Sequence, residues 1–164
     1  MLIRDCTEDD VAPLERSIPT RGTEAHRSHF KQQQAGGQTY LVALREHLPV
    51  GSCVLSWAGW LEPDLRGELP DCPEICNVHV AAEMRGQGIG TALIGEGERR
   101  VREAGYDRVG IGVAEDNVGA IRLYARLGYR DSGLRNESRY RYPDEDGVVQ
   151  DVLEHDMALV KELV

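Results

Sequence analysis

The segment from Arg85 to Gly90 reads RGQGIG and stands directly before a helical pattern. Three of these six residues are glycine, and Ile89, Leu93 and Val101 then recur at the spacing of one helix face. Backbone N–H groups at a helix start lack partners within the helix, and glycines let an anion approach them without a Cβ atom in the way. The segment therefore predicts an anion-binding turn at the start of a helix.

The glycine spacing excludes two common nucleotide-binding motifs. A P-loop has a lysine directly after its last glycine, but Thr91 follows Gly90 here. The dinucleotide fingerprint G-x-G-x-x-G fails as well, since Thr91 or Leu93 occupies the position of its third glycine. A nucleoside triphosphate and a dinucleotide are therefore poor candidates, while another anion or a purely structural turn remains open.

The remaining pattern predicts an α/β protein. Residues 38–44 and 50–60 resemble two strands joined as a hairpin, and residues 61–73, with three prolines, predict a loop. A polar helix is expected over residues 23–34, closed by two glycines. The full order is strand, two helices, three strands, helix, strand, helix and two strands, which predicts a sheet with helices on its faces.

Length, composition and charge limit the classes of protein. A chain of 164 residues fits a single domain over residues 1–164. The formal net charge of −9 disfavours nucleic acid as a partner, because phosphate binding requires clustered Lys and Arg. No apolar run reaches the roughly 20 residues of a membrane span, and the first residues turn acidic where a signal peptide is apolar. We therefore expect a cytoplasmic protein that binds neither nucleic acid nor a membrane.

Cys72, Cys76 and His79 are spaced closely enough to suggest a metal site. If they lie on one strand, Cys76 and His79 point to opposite faces, because strand side chains alternate. Cys72 would then lie about 13 Å from Cys76 at the usual strand rise. We therefore expect no bound metal and cysteines that are reduced.

Two segments resemble the signature segments of the GNAT superfamily of N-acetyltransferases. The first, NVHVAAEMRGQGIGTALI, has the family's basic residue and glycines at Arg85, Gly88 and Gly90. The second, VAEDNVGAIRLYARLGYRDSG, has its asparagine at Asn117 and its tyrosine at Tyr124, followed by the LGY turn. Both chain ends are also similar, so the resemblance covers nearly the whole chain. It implies an α/β fold with a central, mostly antiparallel mixed sheet of about seven strands, splayed at the fourth and fifth strands and flanked by four helices.

The resemblance implies acetyl-CoA as the acyl donor. The glycine turn and helix start would bind its pyrophosphate, and its pantetheine arm would pair with the backbone from Val78 to Val80. A β-bulge is expected near Val80 to Ala82, since bulges help strands to part beside active sites. Asn117 would cap a helix and also contact the amide arm of the cofactor. The implied cofactor-binding residues are Val78, His79, Val80, Arg85, Gly86, Gln87, Gly88, Ile89, Gly90, Thr91, Asn117 and Tyr124.

The resemblance also assigns Tyr124 as the acid that protonates the thiolate of CoA. A backbone N–H near Val78 to Val80 would stabilise the oxyanion. The general base remains open. Some family members carry a glutamate at the position of Gly112, so that base is absent here. Glu74 and His79 are the candidates, His79 for its intrinsic pKa, and a chain of water molecules is a further alternative.

The predicted function is transfer of an acetyl group from acetyl-CoA to a primary amine of a small molecule or peptide. The acceptor would bind against the first two helices, the segment from Trp57 to Cys72 and the last hairpin. Trp57 and Trp60 either line its pocket or only anchor a strand end, and the acidic turn PDEDG either attracts a cation or is simply solvated. The alternative is a non-catalytic domain that binds or senses acyl-CoA; Tyr124 argues against it, and the missing base at Gly112 leaves it open. The sequence does not identify the acceptor or the oligomeric state, and a homodimer remains open.

Overall fold

The structure, a computed structural model, describes residues 1–163, which form seven strands and five α-helices. In chain order these are β1 (Leu2–Asp5), α1 (Glu8–Ser17), α2 (Ala25–Gln34), β2 (Gln38–Arg45), β3 (Leu48–Ser56), α3 (Pro63–Glu68), β4 (Glu74–Val80), α4 (Ile89–Glu103), β5 (Arg108–Ala114), α5 (Val118–Arg126), β6 (Arg130–Pro143) and β7 (Val149–Glu162). A short 3-10 turn, Ala82–Met84, links β4 to α4. The predicted domain over residues 1–164 also includes Val164, which lies outside the described residues.

The seven strands form one sheet in the order β1-β2-β3-β4-β5-β7-β6. Neighbouring strands are antiparallel except for β4 and β5, which are parallel. This arrangement confirms the predicted α/β fold with a mixed, mostly antiparallel sheet. The hairpin of β2 and β3 also follows the prediction, although β3 ends at Ser56 rather than at Trp60.

One face of the sheet packs against α4 and α5. Ile75 and Ile111 project from the two parallel strands into this layer, where each is at most 1% exposed. Gly97 allows α4 to lie close to the sheet, because a Cβ atom at this position would stand 2.8 Å from Cδ1 of Ile75. The apolar stripe read from the sequence of α4, with Ile89 and Leu93, therefore faces the main core.

The opposite face of the sheet carries α1, α2 and α3. The start of α1 is fixed by Asp10, whose carboxylate accepts hydrogen bonds from the backbone N–H and the hydroxyl of Thr7 and from Arg4. The guanidinium of Arg4 and the N–H of Thr7 outweigh the effect of burial and lower the pKa of Asp10. Phe30 of α2 packs with the residues of α1 over β2 and β3.

One of the five α-helices was not expected from the sequence. This helix, α3, lies in the stretch that was predicted as a loop, so the expected number of four helices is wrong by one. Its first residue is Pro63, where proline is favourable because the first helical N–H has no partner in any case. Leu65 of α3 packs with Trp60 against Ala158 of β7. The prolines thus mark the start of a short helix and its exit rather than an irregular loop.

The β-bulge of β4 lies earlier than the predicted position of Val80 to Ala82. Ser52 pairs with His79 and Val54 pairs with Cys76, so two residues of β4 face one residue of β3. Asn77, one of the two, has a φ of +52°, a left-handed conformation that asparagine tolerates better than most residues. The bulge shifts the alternation of side chains along the strand by one residue.

As a result, Cys76 and His79 lie on the same face of β4, contrary to the prediction. Even so, no group of three His, Cys, Asp or Glu side chains within residues 1–163 is arranged to hold a metal ion. Over the same residues, the structure has no helix with both the length and the apolar character required to cross a bilayer.

Candidate active site

The glycine turn stands at the surface between β4 and the start of α4. Gly86 and Gly88 have φ angles of +76° and +81°, and within residues 1–163 no atom beyond the adjacent residues lies within 4 Å of a Cβ atom built at either position. Glycine is therefore required by the backbone conformation, and the space beside it is open. Arg45 of β2 holds the turn, since its Nη1 donates a hydrogen bond of 2.6 Å to Oε1 of Gln87.

The first turn of α4 offers backbone donors rather than side chains. Ile89 is 1% exposed and belongs to the core, whereas Thr91 projects its side chain at the surface. Gly88, the residue before the helix, has no side chain that could accept the free N–H groups of this turn. These groups and the helix dipole therefore suit an anion at this end of α4.

A wedge opens between β4 and β5, and it begins a few residues from the glycine turn. The two strands pair only at Glu74 with Gly110 and at Ile75 with Ile111. Beyond these pairs β5 continues along β7, so β4 from Cys76 to Val80 has no strand beside it on that edge. The predicted splay of the fourth and fifth strands is thus present.

Val78, His79 and Val80 form the β4 side of the wedge. Val78 and Val80 pack partly into the core under α4, close to Gly90. His79 points to the opposite face, toward α2, where partial burial together with His26 and Arg85 lowers the pKa of its imidazole. His79 does not line the cavity that contains Glu74, so the structure separates the two candidate bases.

Tyr124 and Asn117 lie on α5, on the other side of the wedge. Oδ1 of Asn117 accepts a hydrogen bond of 3.1 Å from the N–H of Ala120, which is the predicted N-cap. The ring of Tyr124 packs against the core, and burial raises the pKa of its phenol. Its hydroxyl has no hydrogen-bond partner among residues 1–163, and it therefore remains available as a proton donor.

Glu74 lies in a cavity of about 300 Å³ on the face opposite to α4 and α5. Glu62, Glu154 and Asp156 also line this acidic cleft, and no Lys, Arg or His is among its described lining residues. Burial, together with the negative charges of Glu62 and Asp156, raises the pKa of Glu74 to about 8. The carboxyl group of Glu74 makes no hydrogen bond or ion pair within the described chain.

The carboxyl group of Glu74 occupies the space that a side chain at position 112 would need. A Cβ atom built on Gly112 would lie 3.4 Å from Oε1 of Glu74 and 3.3 Å from the ring of Trp60. A side chain at position 112 would extend toward both groups. Glu74 of β4 thus brings a carboxyl group next to the position on β5 where Gly112 has none.

Residues outside the sequence-predicted set complete the acidic cleft. Asp156 of β7 accepts a hydrogen bond of 2.9 Å from the hydroxyl of Ser138, and Glu154 accepts one of 2.7 Å from Tyr140. Glu154 and Asp156 are two residues apart on β7, and side chains at this spacing on a strand lie on the same face. This spacing was visible in the sequence. Trp60 also lines the cleft.

Trp57, the other tryptophan proposed for the acceptor site, is instead an anchor. Its Nε1 donates a hydrogen bond of 3.0 Å to the hydroxyl of Thr39, and its ring packs on Tyr106. In the acidic turn that begins at Asp144, the carboxylate stabilises the turn itself. Its Oδ1 accepts hydrogen bonds from the N–H groups of Asp146 and Val148.

The fold is similar to that of acetyltransferases of known structure. The ribosomal-protein-alanine N-acetyltransferase of Brucella melitensis superimposes with a TM-score of 0.71 at 22% identity, over 99% of both chains. A Salmonella typhimurium structure with its cofactor acetyl-CoA gives a TM-score of 0.67 at 18% identity, over 100% of this chain and 94% of that one.

At the level of sequence, the chain belongs to the acetyltransferase (GNAT) family, whose model matches residues 5–129. This confirms the resemblance noted from the sequence. An uncharacterised N-acetyltransferase of Bacillus subtilis is 27% identical over 107 residues, which cover 62% of this chain and 67% of that protein. The match to the mycothiol acetyltransferase of Parafrankia is 46% identical over 57 residues and spans only 18% of that protein's length and 35% of this chain.

Proposed function

We propose that this protein is an acetyl-CoA-dependent N-acetyltransferase that transfers the acetyl group directly to a cationic primary amine of a small molecule or peptide. The observation that carries the proposal is Glu74, a partly buried carboxylate without a partner in the described chain, which lies beside the wedge in an acidic cleft. A cationic amine is the ligand whose charge such a cleft complements. The overall charge of −9 favours the approach of the same class of acceptor.

Acetyl-CoA fits the other side of the wedge. The open glycine turn and the free N–H groups of α4 suit its pyrophosphate, and the unpaired backbone from Val78 to Val80 suits its amide-rich arm. Acetyl-CoA supplies an acetyl group activated as a thioester. The residues proposed to hold it are those implied by the family resemblance, Arg85 to Thr91, Val78 to Val80, Asn117 and Tyr124.

Glu74 acts as the general base. An amine that enters the cleft is protonated at neutral pH, and it must lose a proton before its nitrogen can attack a carbonyl carbon. A pKa of about 8 lies close to physiological pH, where a base is most effective, and the positive charge of the bound amine lowers that pKa. The carboxylate of Glu74 receives this proton first, and the neutral amine nitrogen then forms the C–N bond.

Tyr124 acts as the general acid from the opposite face of the sheet. When the C–S bond breaks, the departing thiolate takes the phenolic proton of Tyr124, which burial keeps protonated at neutral pH. A backbone N–H on β4 near Val78 stabilises the oxyanion that forms between the two steps. Base and acid thus approach the reacting group from opposite sides of the wedge.

The alternative, a domain that binds acyl-CoA without turnover, is left open by the absence of a carboxylate at Gly112. Glu74 lies within 3.4 Å of the Cβ position there, which supports the enzyme over the sensor. His79 remains the weaker candidate base, because it does not line the acidic cleft.

Thermal denaturation with ligands, followed by an assay of free CoA, tests the proposal. Acetyl-CoA at about a hundredfold excess over its Kd adds roughly 2.7 kcal/mol of stability, which raises the Tm by roughly 5–10 °C in a protein of this size. NAD, the matched control, should leave the Tm unchanged. A panel of amines should then release CoA, with cationic amines preferred over anionic amino acids. Binding without release for every amine would favour the sensor, and no shift with acetyl-CoA would overturn the cofactor assignment.

A further inference from the structure

The helix that carries Tyr124 ends in a motif that sets the environment of its ring. Gly128 has a φ of +98°, and its N–H donates to the carbonyl of Ala125 at 3.1 Å. The N–H of Tyr129 donates to the carbonyl of Tyr124 at 3.0 Å. This pair of bonds is the Schellman motif, in which the residue after the glycine commonly contacts the residue five positions earlier.

Tyr129 and Tyr124 make that contact through their rings. The ring centroids are 6.1 Å apart and the ring planes meet at 63°, an edge-to-face arrangement. Tyr129 is 4% exposed, whereas Tyr124 is only partly buried and its hydroxyl has no partner among the described residues. The orientation of Tyr124 therefore depends on the surfaces that its ring touches, and Tyr129 is one of these surfaces.

Tyr129 is in turn held by a partly buried ion pair. Its hydroxyl donates to Oε1 of Glu98 at 3.0 Å, and Nζ of Lys161 donates to Oε2 of the same carboxylate at 2.9 Å. Nζ of Lys161 also stands 5.8 Å from the centroid of the Tyr129 ring. Burial and the adjacent Glu98 carboxylate raise the pKa of Tyr129, so it remains a protonated donor.

Glu98 lies on α4 and Lys161 on β7, so this chain of contacts crosses three parts of the fold. The side chain of Lys161 runs over Gly128, with its Cε 3.4 Å from the Cβ position there. A buried ion pair is often no more stabilising than apolar side chains of the same size. Its directional hydrogen bonds, however, fix the position of the group they hold more strictly than apolar contacts do.

We infer that Tyr129, Glu98 and Lys161 are positioning residues for Tyr124. Lys161 orients the carboxylate of Glu98, Glu98 fixes the hydroxyl of Tyr129, and the Tyr129 ring sets the direction in which the Tyr124 hydroxyl points into the wedge. This inference rests on the proposed role of Tyr124 as the acid of acetyl transfer. Proton donation to a thiolate requires a strict geometry, and a misplacement of about 1 Å can cost roughly a hundredfold in rate.

The test is a double-mutant cycle of Tyr129→Phe with Tyr124→Phe. Tyr129→Phe keeps the ring that contacts Tyr124 but loses the hydrogen bond to Glu98. Alone it should lower kcat roughly tenfold or more, with KM for acetyl-CoA unchanged. In the Tyr124→Phe background the same substitution should have little further effect on kcat, because Tyr129 acts through Tyr124. Tyr106→Phe, a tyrosine outside this network, should leave kcat unchanged.

Lys161 supplies a second arm in case Tyr129→Phe also loosens the fold. Lys161→Met should reproduce the loss in kcat, and Lys161→Arg should restore most of it because arginine can still donate to Glu98. Equal losses for Tyr129→Phe in both backgrounds, or no rescue by arginine, would overturn the positioning role. Full turnover by Tyr124→Phe would also overturn it, while turnover of amines by the unaltered protein would leave the acetyltransferase proposal standing.

Discussion

Glu74→Gln isolates the charge of the partly buried carboxyl group, because glutamine keeps its size and its oxygen acceptor but cannot ionise. The pKa of Glu74 is raised from its ordinary value near 4.5 to about 8 in the folded protein. Between these values the folded chain therefore holds a proton that the unfolded chain has lost. Stability must then decrease as the pH rises through this window. At about 1.4 kcal/mol per pKa unit, the full effect is at most roughly 5 kcal/mol.

The glutamine variant does not lose stability in this way, because its side chain cannot ionise. The difference between its free energy of unfolding and that of the natural protein should therefore grow with pH. From about pH 5.5 to about pH 8.5 the gain in its relative free energy of unfolding should be about 3 kcal/mol. The measurement is denaturation by urea at both pH values, without ligands. Glu68→Gln, a change at an exposed glutamate of α3, is the matched control and should show no such growth.

The same variant should have lost amine acetylation at both pH values while it still binds acetyl-CoA. A stabilised but inactive protein is the expected signature of a carboxylate kept in an unfavourable position for its chemistry. A stability difference that stays constant between the two pH values would refute the reasoning, because Glu74 would then ionise as freely in the folded chain as in the unfolded one. A variant with full turnover would assign the base elsewhere.

Three further changes test other parts of the site. Gly110→Ala should lower stability by about 1–3 kcal/mol in urea denaturation, because its Cβ would stand 2.6 Å from the Trp60 ring; Gly95→Ala, on the open surface of α4, should be neutral or stabilising. Asn117→Ala should cost about 1 kcal/mol through the lost N-cap, whereas Asn117→Asp should keep most of it. Asp156→Asn should raise KM for a cationic amine but leave KM for acetyl-CoA unchanged. It should also shift the rising limb of the pH–rate profile to lower pH, because the Asp156 charge raises the pKa of Glu74.

The parts of the site that could be predicted from the sequence are those with local signals. The glycine turn and α4 are adjacent in the chain. The glycines themselves indicated the turn, and the helical spacing of the apolar residues after them indicated α4. Asn117 and Tyr124 lie on one helix in the order that the family resemblance implies. The sheet could be anticipated because its hairpins have alternating strands joined by short turns.

The parts that could not be predicted depend on distant residues or on a single backbone angle. Glu98 contacts Tyr129 and Lys161, which lie 31 and 63 positions away in the chain, and no periodicity links such positions. The bulge depends on the left-handed conformation of Asn77, which the sequence permits but does not require. The acidic cleft assembles Glu62, Glu74 and Asp156 from distant parts of the chain, so the sequence singled out Glu74 but gave no sign of the two carboxylates beside it.

The two-residue pairing of β4 with β5 divides the sheet mechanically. Strands β1 to β4 form one block and strands β5 to β7 form another, and only the pairs at Glu74 and Ile75 join their backbones directly. A molecule bound along the open edge of β4 would form further contacts that connect the two blocks. Amide hydrogen exchange should then slow on both sides of the wedge when acetyl-CoA binds, including at residues of β7 that the ligand never touches.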